Sequence, residues 1–200
     1  MPKSGSNPYI EAVKTLLAVL ALHEPDLKNN SERIAKMAQA FAKKLKLDKA
    51  ETDAAYLGGL LHDIGMIHVP AEVLQRNAAL TEEEMKLVKQ HPALSSRVLS
   101  NLKFLRGVLP VVSHHHEAYN GTGYPDGLQG DKIPQGARLL ALVESYDAIV
   151  SGRFYRDPKS IDEALKEIND LAGKQFDGRM IKDFTEFVKL YAATEAAAER

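Results

Sequence analysis

Histidine and carboxylate recur at separated points along this chain. His62-Asp63 is followed by His91, by the run His114-His115-His116-Glu117, and by Glu144. Neutral imidazole and carboxylate are the usual protein ligands for hard-to-borderline divalent metals. Spread over several segments, they are what a site gathered from several helices needs. Each piece alone has a plainer reading. A lone His-Asp pair can cap a helix and start a turn, and His91 before Pro92 can bond a backbone carbonyl. The histidine run is harder to explain by packing. Successive side chains on a helix point about 100° apart, so at most two of the three can share a site and the third must point elsewhere. The segment that follows, 119–136, holds five glycines and two prolines. That composition marks a structured loop, and glycine lets backbone approach a ligand closely.

The elements that must position these residues read as helices. A first runs over 8–22, with Ile10, Val13, Leu16, Leu17 and Leu20 on one face. A second covers about Leu27–Leu45. Asp48 with Glu51 forms a capping box opening a third, which ends at His62-Asp63 with Gly65 as its stop. Thr81 with Glu84 opens another, running toward His91, and Pro92 allows a new helix just after. A further helix ends near His114–Glu117. Pro134 sits in the first turn of a helix reaching about Val150. Ser160 with Glu163 caps the next, which Gly173 closes, and Asp177 opens the last. Residues 192–200, rich in Ala and Glu, read as its frayed end. No segment shows the alternation of a strand.

Two hundred residues, 44% of them hydrophobic, suit one domain with a sizeable core. The net charge of −1 gives no global basic field, so DNA is not an expected partner. There is no cysteine, which excludes disulfides, thiolate metal sites and cysteine nucleophiles. The longest mostly apolar run, Leu16–Leu22, is broken by His23 and Glu24 and is too short to span a bilayer. The expectation is a cytoplasmic chain with no membrane segment.

Taken together, these blocks resemble the HD-GYP domain, a subgroup of the HD metal-dependent phosphohydrolase superfamily. The family's His-Asp stands here as His62-Asp63, its His-Pro as His91-Pro92, its His-His-Glu as His115-His116-Glu117, and its Gly-Tyr-Pro as Gly123-Tyr124-Pro125. Ile133-Pro134, Ala137-Arg138 and Tyr146-Asp147-Ala148 also match, and the likeness covers roughly residues 20–190. The resemblance implies an all-α HD-domain helical bundle with a glycine-rich Gly-Tyr-Pro loop. It implies a phosphodiesterase that hydrolyses cyclic di-GMP to the linear dinucleotide or GMP through a metal-bridging hydroxide. Two divalent ions, iron or manganese, would be held by His62, Asp63, His91, His115, His116 and Glu144, with the catalytic Asp63 as the bridge. Gly123, Tyr124, Arg153 and Arg156 match positions that meet the substrate.

The chain departs from that pattern in places. Met66 stands where the family has the lysine of His-Asp-Ile-Gly-Lys. Losing one electrostatic donor of this kind costs on the order of 10²–10³ in rate elsewhere, so weakened activity is expected. Asn30 stands where trinuclear members place a histidine, four residues after Asp26, which argues against a third ion. Glu144 replaces an aspartate, so its longer side chain must be accommodated by backbone or rotamer. Asn120 replaces the aspartate before the loop's first glycine and suits the same turn. His68 reads either as a surface histidine or as a compensating contact. The alternative to an enzyme is a degenerate domain that binds metal and cyclic di-GMP and signals through partner proteins. The N-terminal helix could pair with such a module or with a second copy of the chain.

Overall fold

The computed structural model describes residues 7–76, 78–152 and 157–198. Their backbone is all-α: α1 (Pro8–His23), α2 (Pro25–Lys44), α3 (Lys49–Leu61), α4 (Ala71–Leu74), α5 (Glu82–Val88), α6 (His91–Leu99), α7 (Leu109–His114), α8 (Gln135–Ser151), α9 (Ile161–Asp170) and α10 (Gly178–Ala198). Among the described residues the only strand-like pairings are two isolated bridges, Asn120 with Gln129 and Ala172 with Phe176. The three capping boxes read from sequence are present at Asp48, Thr81 and Ser160. The helix opened by Thr81 is shorter than expected. It stops at Val88, and His91-Pro92 begins α6 as a separate element. No described helix is long and apolar enough to cross a membrane.

Helix α8 is the axis of the bundle. Leu139, Leu140, Leu142 and Val143 are fully buried at nearly consecutive positions, so α8 is covered on every side rather than on one stripe. Around it lies one apolar cluster in which Phe41 meets Phe184 edge-on at 5.0 Å between ring centroids. A second cluster joins α1, α3 and α7 through Leu17, Leu20, Leu61 and Val112.

Gly65 was expected to stop α3, and its role is different. The helix ends at Leu61, and Gly65 lies inside a 3-10 turn, Ile64–His68, without a positive φ. A Cβ there would stand 2.3 Å from the His91 carbonyl oxygen and 2.7 Å from Ser95 N. Glycine is required because the turn after His62-Asp63 packs directly on the start of α6.

One polar strut ties α2 to this axis. Asp147 on α8 is buried, and Arg33 on α2 grips it with two donors: Nε to Oδ1, and Nη2 to Oδ2 at 2.8 Å. The same Nη2 donates to Asn30 Oδ1 at 2.8 Å. Replacing Arg33 by Met leaves a buried carboxylate without its cation, a change that costs several kcal/mol at fully buried sites. Because Arg33 itself is half-exposed, the expected loss is about 2 kcal/mol. It should appear as a lower urea midpoint at unchanged slope. A midpoint equal to the parent's would show that the strut carries no stability.

Candidate metal centre and its cleft

The motif residues converge from four helices. His62 caps the end of α3 and Asp63 follows it; His91 opens α6; His115 caps the end of α7, with His116 next; Glu144 projects from the middle of α8. His62, His91 and His115 are fully buried and Asp63 nearly so. His62 Nε2 lies 3.1 Å from Asp63 Oδ2, and His91 Nε2 lies 3.3 Å from Asp63 Oδ1. His91 Nε2 and His115 Nε2 are 3.1 Å apart. His116 Nε2 is 3.9 Å from Glu144 Oε1, so the longer glutamate does reach the group.

The hydrogen bonds on the far side of each ring decide what faces inward. Nδ1 meets a backbone carbonyl in three cases: His62 with Gly59 at 2.9 Å, His91 with Val88 at 2.7 Å, and His115 with Val112 at 2.7 Å. A carbonyl oxygen only accepts, so each Nδ1 must donate. In the neutral ring, each Nε2 then carries a lone pair. Three lone pairs and two carboxylate oxygens therefore crowd into one dry space with few protons to share. His62 Nε2 is fully buried there and faces Asp63 Oδ2. Acceptors at such distances repel unless a cation lies among them. A backbone-fixed tautomer with Nε2 turned inward is how proteins prepare histidine for a metal. Two overlapping triads, His62–Asp63–His115 and His91–His115–His116, each bring one ligand atom per residue within 4.8 Å of the others.

Without a metal, protons must do the neutralising. Burial works against a charged His62, but the Asp63 carboxylate outweighs it and pushes the pKa up to about 9. Burial likewise disfavours charge on Asp63, yet the neighbouring imidazoles, His62 first, hold it well below the usual carboxylate range. His115 falls well below its ordinary value through burial and then through the charge on His116. Burial lowers His91, and lowers His116 to about 4.

Other residues hold this arrangement in place. Ser95, one turn along α6 from His91, accepts from Gly65 N at 2.8 Å and donates to the His62 carbonyl at 2.6 Å. It locks the His62-Asp63 turn to α6, and only its four-residue spacing from His91 could have signalled this. Glu117 is buried and accepts from Asp126 N at 2.8 Å and Leu128 N at 3.1 Å, which staples the glycine-rich loop. Gly123 packs so tightly that a Cβ would lie 2.1 Å from Ala118 N. Asn120 forms the expected turn, accepting from Thr122 N at 3.1 Å. His114 is the histidine of the run that points elsewhere; its Nε2 lies 3.0 Å from Asp126 Oδ2.

A cleft of about 510 Å³ opens onto the cluster, and His115, His116, Gly123, Tyr124 and Glu144 line it. Tyr124 stacks on His116 with ring centroids 4.9 Å apart, and Lys89 Nζ stands 5.5 Å from the Tyr124 centroid. Lys89 and Lys174 both line the cleft, and neither was singled out from sequence. Met66 is half-buried in the turn after Asp63. Asn30 joins Arg33 rather than the histidines. His68 donates to the Gly65 carbonyl through Nδ1 at 2.7 Å, leaving its buried Nε2 without a hydrogen-bond partner. Arg153 and Arg156 lie outside the described residues.

A cation entering this centre must displace the proton from His62. Manganese affinity should therefore rise about tenfold per pH unit on approaching the His62 pKa from below, with close to one proton released per chain near neutrality. Calorimetry in buffers of different ionisation heat reads the proton directly. An affinity independent of pH over that range would contradict the assignment.

Residues 14–180 match the HD domain family. The chain is 30% identical over 181 residues to a cyclic di-GMP phosphodiesterase of Thermotoga maritima, the match covering 90% of this chain and 49% of that protein. It is 36% identical over 152 residues to a cyclic di-GMP phosphodiesterase response regulator of Xanthomonas campestris, covering 75% and 40%. The chain thus spans about half the length, or less, of these curated relatives. An HD-GYP-type protein of Bdellovibrio bacteriovorus has the same fold at a TM-score of 0.67 and 25% identity, over 91% of this chain and 60% of that one. With its His-Asp, His-His-Glu and Gly-Tyr-Pro motifs around one centre, this chain belongs to the HD domain family, in its HD-GYP branch.

Proposed function

We propose that this chain is a metal-dependent cyclic dinucleotide phosphodiesterase domain whose substrate is cyclic di-GMP. The observation that carries this reading is the convergence of proton-poor imidazole nitrogens on Asp63 at the wall of an open cleft. His62, Asp63, His91, His115, His116 and Glu144 would hold the metal. Asp63 would contribute from both sides, since one oxygen faces His62 and the other faces His91. The all-nitrogen-and-oxygen donor set fits iron or manganese. Bound cations of this kind supply Lewis acidity and an activated water for attack at phosphorus.

The protein's own groups set the rest. Neutral imidazoles offset little of the ions' charge, so the centre attracts an anionic phosphodiester. The packed helices keep His62, Asp63 and His115 dry, which strengthens every electrostatic contact there. Tyr124, held flat on His116, would position the phosphodiester, and Lys89 over its ring offers a cation to a phosphate oxygen. Arg153 and Arg156 would add to that charge. Lys89 stands in part for the ammonium absent at Met66, and turnover is slow because the substitution is incomplete. The product is the linear dinucleotide or GMP. Met66 favours a second reading, a binding module that signals through protein partners. The reach of Glu144 to His116 favours the enzyme.

The test is hydrolysis of cyclic di-GMP after anaerobic loading with iron or manganese, beside Asp63→Ala. The parent should form the linear dinucleotide or GMP. Asp63→Ala should lose metal and all activity while remaining folded. Tight cyclic di-GMP binding by a fully metal-loaded parent without hydrolysis would replace the enzyme reading by the signalling one.

A further inference from the structure

The family motifs leave one wall of the cleft unassigned. The turn between α9 and α10 contributes Leu171, Lys174 and Gln175 to it. This turn is not a loose surface segment. Tyr119 N donates to the Gln175 carbonyl at 3.0 Å, and Asn120 N donates to the Lys174 carbonyl at 2.9 Å. The backbone that presents Lys174 is therefore pinned to the start of the glycine-rich loop. The Lys174 side chain is exposed, and among the described residues no carboxylate pairs with it. A lysine without an ion-pair partner, carried on a pinned backbone at the wall of a cleft, suits an anion.

The cleft holds two lysines on separate elements. Lys89 comes from the end of α5 and stands over Tyr124, beside the histidine cluster. Lys174 comes from a different wall. A cyclic dinucleotide carries two phosphates on opposite sides of its ring, and only one can be cut at a time. We infer that Lys174 is a specificity-determining residue that holds the second, uncleaved phosphate while the first sits at the Asp63 centre. This inference rests on the phosphodiesterase reading and adds the means by which the site distinguishes a cyclic dinucleotide from a diester with one phosphate.

The test compares the metal-loaded full chain with Lys174→Ala, Lys174→Arg and a control of equal charge change, Lys103→Ala. Two substrates are used: cyclic di-GMP, and bis(p-nitrophenyl) phosphate, which has a single phosphate. Losing one charge-assisted hydrogen bond should raise KM for cyclic di-GMP roughly tenfold in Lys174→Ala. The ratio of kcat/KM between the two substrates should fall by a similar factor. Lys174→Arg should recover most of the loss, and Lys103→Ala should behave as the parent. If the parent binds cyclic di-GMP without cutting it, the same tenfold loss is read in Kd by calorimetry. An equal fall on both substrates, or no weakening on cyclic di-GMP, overturns the role of Lys174 and leaves the phosphodiesterase reading intact. A metal-loaded parent that neither binds nor cleaves cyclic di-GMP overturns both.

Discussion

Three backbone carbonyls, those of Gly59, Val88 and Val112, determine what this molecule can do. Each accepts a hydrogen bond from the Nδ1–H of a buried histidine and turns the opposite lone pair inward. The resulting centre is electrostatically incomplete as an apoprotein. It balances only by placing a proton on His62 against Asp63, or by admitting cations. Building such a centre in a dry interior costs stability, because buried acceptors need partners. That cost is tolerable only if the rest of the fold holds the rings rigidly.

Several features meet that demand. Helix α8, covered on every side, gives Glu144 a fixed origin. Gly65 lets the turn after His62-Asp63 press against α6, and Ser95 closes the gap with two hydrogen bonds. Glu117 spends both carboxylate oxygens on the glycine-rich loop, which sets Tyr124 flat against His116. The strut from Arg33 to Asp147 fixes α2 to the same axis. Cleft and centre are thus two faces of one packed unit.

Much of this was legible in the sequence, for local reasons. Capping boxes at Asp48, Thr81 and Ser160 act over three residues, so the chain announces those helix starts directly. The geometric limit on three adjacent histidines correctly sends one of them, His114, away from the cluster. Contacts between distant segments were not legible. Arg33 and Asp147 are 114 positions apart, and nothing local pairs them. Gly65 looked like a helix stop because glycine serves that role so often; its true constraint is the approach of α6, a tertiary fact. Lys89 and Lys174 looked like ordinary surface lysines until folding brought both to one cleft. Asn30, read only as a missing ligand, has a positive role in holding Arg33.

The central claim is that the inward lone pairs around Asp63 exist to hold divalent cations. Anomalous diffraction from manganese-loaded crystals tests it most directly. Anomalous density is expected inside the cluster formed by His62, Asp63, His91 and His115. An empty centre at saturating manganese, with His62 and Asp63 still directly paired, would contradict it.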